Sequence, residues 1–120
     1  MTFRPFQAGD VLWAPDPYHE NDPDLTLGDS ARPWLVVSGP EYPSQGHEYV
    51  CCALTSNLAP SPSRLPLSEE DWAAGRPRKA SQVDTTTVFT VKHVWVARHI
   101  GRLRYPKYAE ARKCLRAYLT

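Results

Sequence analysis

Apolar residues in this chain fall in short runs, each closed off by proline, glycine or acidic residues, and that rhythm predicts strands more than helices. Gly9-Asp10 reads as a turn into Val11-Leu12-Trp13-Ala14, a first strand stopped by Pro15 and Pro17. Residues 15–31 are a polar stretch rich in Pro, Asp and Asn, long for a connection inside a compact domain. Pro33 to Ser38 is a second strand and His47 to Thr55 a third, joined through Gly39-Pro40 and Pro43-Ser44-Gln45-Gly46 in a hairpin-like connection.

Beyond a loop at 57–63, the pattern becomes choppier. Arg64-Leu65-Pro66-Leu67 fits a short edge strand, where a proline is tolerated. Ser68 followed by Glu69-Glu70-Asp71 has the chemistry of a helix start, and Gly75 and Pro77 keep that helix short. Lys79 to Val83 and Thr86 to Val91 are strand candidates on either side of Asp84. His93 to Arg98, β-branched and aromatic, either extends the second of these or stands alone. A terminal helix starts at Pro106, which suits a first turn, and runs to Leu119 with Tyr108, Ala111, Leu115 and Tyr118 on one face. The expected fold class is mostly β with short helices, a small curled antiparallel sheet or barrel.

Length and composition fit that picture. One domain spanning residues 1–120 is expected, and the 42% of hydrophobic residues, with four Trp and six Tyr, suffice for one core. Twelve prolines argue against long helices. The net charge of +1 does not by itself announce a nucleic-acid partner, but its distribution is uneven. Asp10, Asp16, Glu20, Asp22, Asp24 and Asp29 follow one another without an intervening Lys or Arg, whereas bases dominate from Arg76 onward. Cys51, Cys52 and Cys114 form no C-x-x-C pair, so neither a zinc site nor a thioredoxin-like motif is expected, and no metal or cofactor is called for. Cys51 and Cys52, adjacent in a strand, should face opposite ways. The first residues lack an apolar signal core and no run reaches membrane-spanning length, so a cytoplasmic protein without a membrane partner is expected.

The second and third strands carry the chemistry. One is entered through Arg32 and the other exits into Thr55-Ser56-Asn57. Side by side, these strands bring a guanidinium and two hydroxyls to one end of a sheet. That grouping binds a phosphate and stabilises negative charge added to it, which points to a phosphodiester, RNA first.

The order Gly9-Asp10-Val11-Leu12-Trp13, Arg32-Pro33-x-Leu35-Val36-Val37-Ser38, Leu54-Thr55-Ser56-Asn57, Ser81-x-x-Asp84 and Ile100-Gly101-Arg102-Leu103 resembles the PemK/MazF family of ribonuclease toxins, over most of residues 8–104. The resemblance implies an SH3-like barrel with a C-terminal helix, usually a homodimer. It implies a metal-independent endoribonuclease cutting single-stranded RNA and held in check by an antitoxin protein. It marks Arg32 and Thr55 as the main active-site residues, and Asp84 as one that some members also use; Ser56 joins the catalytic candidates on its own chemistry, as a further hydroxyl donor. Gln82 stands where some relatives carry a second arginine, and the loop after the first strand is longer and more acidic here than in the family.

Metal-free cleavage also needs a base for the ribose 2′-hydroxyl, and His19, Glu20, His47 and Asp84 are the candidates. His19 and Glu20 sit in the long loop, from which they could reach over bound RNA. Arg64, Arg78 and Lys79 are candidate phosphate contacts, and Gln82 joins them as an RNA-facing candidate. A barrel of this kind that has lost catalysis, or that binds a protein target, is the alternative.

Overall fold

The computed structural model describes residues 5–17, 30–39 and 47–119. They form seven strands in one antiparallel sheet and a C-terminal helix: β1 (Asp10–Pro15), β2 (Ala31–Val36), β3 (Glu48–Thr55), β4 (Arg64–Pro66), β5 (Trp72–Gly75), β6 (Gln82–Lys92), β7 (Arg98–Leu103) and α1 (Tyr105–Ala117). The spatial order is β4-β6-β3-β2-β1-β7-β5, with consecutive β1, β2 and β3 side by side at the centre. This is the mostly β, curled small-barrel architecture expected from the pattern of short apolar runs. Among the described residues, no helix is long and apolar enough to cross a membrane.

Strand alternation splits the apolar residues between the two faces of the sheet. Val11, Leu35, Cys52, Leu54, Val83 and Leu103 fill one core, closed by α1 through Ala111, Tyr108 and Leu115. Leu12, Ala14, Trp34, Val36, Tyr49, Cys51 and Val91 fill the other. Cys51 and Cys52 do face opposite ways. Burial raises both thiols, Cys52 to about 12, so they pack as small apolar side chains.

Polar side chains tie neighbouring elements together. Asp10, nearly buried, accepts the Gln7 amide at 2.7 Å, and its other oxygen meets His99 Nε2 and Arg102, each at 3.0 Å. This joins the start of β1 to β7. The helix is held by Arg112, whose Nε donates to the Val37 carbonyl at 2.7 Å.

Three expectations are corrected. Ser68 does open a helical turn, but the turn is a single 3-10 segment, Glu69–Asp71. Trp72–Gly75 then pairs with β7 as a strand. The two strands expected around Asp84 are one, β6, with a bulge: Cys52 faces Val88 while its neighbour Ala53 faces Asp84, so Thr85, Thr86 and Thr87 are extra. His93–Trp95 is a 3-10 turn, and the strand begins only at Arg98. In addition, β2 begins at Ala31, so Arg32 lies inside the strand instead of before it.

Two glycines shape the approach to the candidate site. Gly75 and Gly101 are partners in the β5–β7 ladder, and Gly75 adopts a left-handed φ of 54°. A Cβ on Gly101 would lie 2.6 Å from the Ala74 carbonyl oxygen. The bare backbones let β5 approach β7 and turn sharply into Arg76-Pro77-Arg78-Lys79.

Candidate active site

The ends of β1, β2 and β3 open onto a cleft of about 800 Å³. Pairing of β1 with β2 sets Ala14 opposite Arg32, and β2 pairs with β3 through Trp34 and Ala53. Those registers bring Asp16, Arg32, Thr55 and Ser56 to the same end of the sheet. The turn after β5 supplies Arg76, Arg78 and Lys79 as a facing wall, and β7 adds Arg98 and His99. Asp16 is the sole carboxylate among the described lining residues, so the cleft is strongly cationic.

Arg32 has a specific posture. Its Nε and one terminal nitrogen both donate to the Leu54 carbonyl, at 3.3 and 2.8 Å. The other terminal nitrogen lies 3.5 Å from Asp16 Oδ2. A guanidinium carries five N–H donors in a rigid fork. The bonds to Leu54 occupy one side of that fork, and Asp16 takes one hydrogen beyond it. One hydrogen on each terminal nitrogen remains to donate. Two such charged donors suit the nonbridging oxygens of a phosphate. The guanidinium also lies 5.7 Å from the centroid of the Trp34 ring, a flat support that limits its rotation.

Thr55 is held in a complementary way. Its Oγ1 accepts the Asn57 amide at 3.1 Å, which leaves the hydroxyl hydrogen to donate. Gln82, opposite Thr55 in the ladder, is almost fully buried and donates to the Asn57 and Ala59 carbonyls at 3.0 and 3.1 Å. Arg64 donates to Ala59 as well, at 3.1 Å. Gln82 and Arg64 therefore brace the loop that follows Thr55, and neither lines the cleft. Sequence reasoning grouped them with RNA contacts; their placement gives them a supporting part.

Asp84 also lies away from the lining residues. Its carboxylate accepts the Thr86 amide at 3.2 Å and the hydroxyls of Thr86 and Thr87, each at 2.9 Å, closing the β6 bulge. Burial pushes its pKa up, but those hydrogen bonds and the charge of Arg64 outweigh that and hold it below 3.8. A depressed carboxyl contributes stability above its unfolded value and loses it as pH falls through the native one. Asp84→Asn is expected to cost roughly 1 kcal/mol at pH 7. The gap to the parent protein should close as the pH drops below 3.8, read as urea midpoints across an acid series.

Of the sequence candidates, Arg32, Thr55, Ser56, Arg78 and Lys79 share the cleft. His47 is exposed beside the start of β3 and is not among the lining residues. His19 and Glu20 lie outside the described residues. Sequence reasoning missed Asp16, Arg76 and Arg98. The signal for Asp16 was the β1–β2 hairpin: continued past Pro15, it carries Asp16 toward Arg32, and the Asp16 amide indeed donates to the Ser30 carbonyl at 3.1 Å. Arg98 stacks over Trp13 at 5.6 Å, and Arg76 is ion-paired to Glu69. Among the described residues, no three His, Cys, Asp or Glu side chains gather as a metal-ligand group.

Comparison with known proteins places this geometry in context. The model of the family described as PemK-like, MazF-like toxin of type II toxin–antitoxin systems matches residues 7–119. No curated protein matches the chain by sequence. Among solved structures, an endoribonuclease from a mycobacterial species superposes with a TM-score of 0.72 at 17% identity, covering 99% of this chain and 95% of that one. A MazF from Deinococcus radiodurans superposes with a TM-score of 0.71 at 18% identity, covering 98% of each chain. A mycobacterial endoribonuclease solved in complex with its cognate antitoxin gives a TM-score of 0.64 at 19% identity, covering 94% of this chain and 93% of that one. These likenesses extend over nearly the whole chain and concern the fold.

Proposed function

Because this chain belongs to the PemK-like, MazF-like toxin family of type II toxin–antitoxin systems, we propose that it is an endoribonuclease whose active site is the cleft at the ends of β1–β3. The observation that carries this reading is that Arg32, with two guanidinium hydrogens still to donate, and Thr55, with its hydroxyl hydrogen still to donate, line one cation-rich cleft. RNA cleavage by its own 2′-hydroxyl drives charge onto the nonbridging oxygens of a five-coordinate phosphorus. Arg32 receives that charge through two parallel donors, and Thr55 adds a third from a fixed position. Ser56 lies on the same rim and orients the substrate.

The turn of Arg78 and Lys79 neutralises flanking phosphates, which also makes binding salt-sensitive. The openness of the cleft suits an unpaired strand, whose bases are free to leave a stack. The reaction needs no metal in this scheme, because the guanidinium supplies the positive charge. The proposed partners follow the family: a cognate antitoxin that covers the cationic cleft, and a second copy of the chain. Exposed Val94, Tyr105, Tyr118 and Leu119 offer apolar surface for such contacts. The proposed site of action is the cytoplasm, where the RNA is.

A long RNA of mixed sequence, incubated with the purified protein in EDTA, is expected to yield fragments ending in a 2′,3′-cyclic phosphate and starting with a 5′-hydroxyl. Thr55→Ala is expected to slow this about 10²-fold, the usual cost of one oxyanion donor. Intact RNA at every protein concentration would refute the reading.

A further inference from the structure

We propose that Trp13 and Arg98 form a stacking platform for one unpaired RNA base beside the scissile phosphate, an inference resting on the endoribonuclease reading above. The Arg98 guanidinium lies over the Trp13 ring, 5.6 Å from its centroid. Trp13 is half-buried, Arg98 is exposed, and both line the cleft. Attraction between the cation and the indole holds the two flat groups together. Unstacked RNA bases settle on such aromatic and guanidinium planes.

Strand register places the pair. Trp13 is opposite Arg98 of β7 on one side and Pro33 of β2 on the other. Residues opposite each other share a face of the sheet, so Arg98, Trp13 and Pro33 stand in one row across three strands. All three line the cleft. Alternation along β2 sends Arg32, the neighbour of Pro33, to the other face, yet Arg32 lines the same cleft. The cleft thus holds a phosphate position at Arg32 and a flatter, partly apolar row beside it. The β1 backbone is one strand spacing from β2, about 4.8 Å. A base attached to a phosphate on Arg32 therefore reaches the row without leaving the cleft.

Other pairs of a cation and a ring in this protein sit differently. Lys92 over Trp95 and Arg112 over Tyr108 lie outside the cleft lining. Arg32 lies over Trp34, whose ring is fully buried and meets no base. In Trp13 and Arg98 both members face the cleft, so the pair has a surface to offer as well as a packing role. Stacking depends on the π-face of the base more than on its hydrogen-bonding edge. The platform therefore favours purines, whose rings are larger, and contributes preference at one nucleotide.

The test measures Kd for an RNA made uncleavable by a 2′-deoxy sugar where the parent protein cuts, with a single abasic site moved through the nucleotides around it. In the parent, loss of one particular base is expected to weaken binding about tenfold, and a pyrimidine in place of a purine there about threefold. Trp13→Leu/Arg98→Ala should bind the intact strand about tenfold more weakly, and its penalty for that abasic site should fall to within about twofold. Arg98→Lys, a change at an exposed residue, keeps the charge and loses the plane. It should bind about fivefold more weakly at an unchanged salt slope, with a smaller abasic penalty than the parent. If the double variant does not fold, Arg98→Lys decides alone. A parent without an abasic-sensitive position, or a full abasic penalty in the double variant, overturns the proposal. Parent-like binding by Arg98→Lys also overturns it, because it makes Arg98 a phosphate contact. A parent protein that cuts no RNA refutes the endoribonuclease reading itself, a result obtained before any residue is changed.

Discussion

Arg32→Ala is expected to lower kcat/KM for RNA cleavage by about 10³-fold or more while leaving the protein folded. One lost oxyanion donor in an enzyme site costs about 10²–10³-fold. Arg32 presents two donors and a full charge, so the loss should lie at or above the upper end. Arg32→Lys separates the two contributions. A lysine keeps the charge but is a single point donor, without the planar fork that meets two phosphate oxygens. It should fall between the parent and the alanine variant, about 10²-fold down. The structural cost is modest because the guanidinium is partly exposed and the Leu54 carbonyl it serves lies at the open end of the sheet. Removing those hydrogen bonds should cost roughly 1 kcal/mol. A fluorogenic RNA assay paired with urea unfolding separates the two effects. Growth after induction gives an independent reading, since the alanine variant should be harmless to cells. Cleavage within tenfold of the parent would remove Arg32 from the active site.

The largest effect on stability is expected at Trp34. Its side chain is fully buried in the second core, its ring is tilted against Phe89 at 5.4 Å, and its Nε1 donates to the Pro15 carbonyl at 3.0 Å. Trp34→Ala removes that packing, leaves a cavity too well walled to collapse, and strips the Pro15 oxygen of its partner. Large aromatic truncations in cores cost about 3–5 kcal/mol, and a buried carbonyl left unpaired adds to this. Domains of this size have a total stability of roughly 5–15 kcal/mol. The variant should therefore unfold at a much lower urea concentration, with a Tm lower by roughly 12–20 °C. Trp34→Phe should recover most of the packing but not the hydrogen bond. Catalysis should suffer in both variants, since Trp34 supports the Arg32 guanidinium and its bond to Pro15 fixes the residue before Asp16. A cost below about 1 kcal/mol for the alanine variant would contradict the packing described.

These two residues also show how far the chain could be read from its residues. Trp34 and Arg32 stand two apart in a run whose apolar character announced a buried strand. The strand alone could not say that Arg32 reaches across to Leu54, a partner 22 positions away. The same limit explains the corrections elsewhere. Ser68 and three acidic residues have a local preference for a helical start, and that preference is honoured for one turn. Trp72–Gly75 then becomes a strand because β7 offers it hydrogen bonds, a reward that no local pattern records. His93–Val96 has strand-like residues but turns, because the chain must leave β6 and return beside β1 as β7.

By itself the sequence determined the alternation of short apolar runs, hence a two-faced antiparallel sheet with a terminal helix, and the residue types at the ends of β2 and β3. These are local properties, set by side-chain periodicity, proline placement and turn chemistry. The tertiary structure alone decided which groups share the cleft. Register between strands placed Asp16 beside Arg32, set Arg32 against the Leu54 carbonyl, and moved Asp84, Gln82 and Arg64 into supporting positions. The physical reason is that hydrogen-bond ladders join residues tens of positions apart, and a side chain's chemistry depends on the neighbours those ladders deliver.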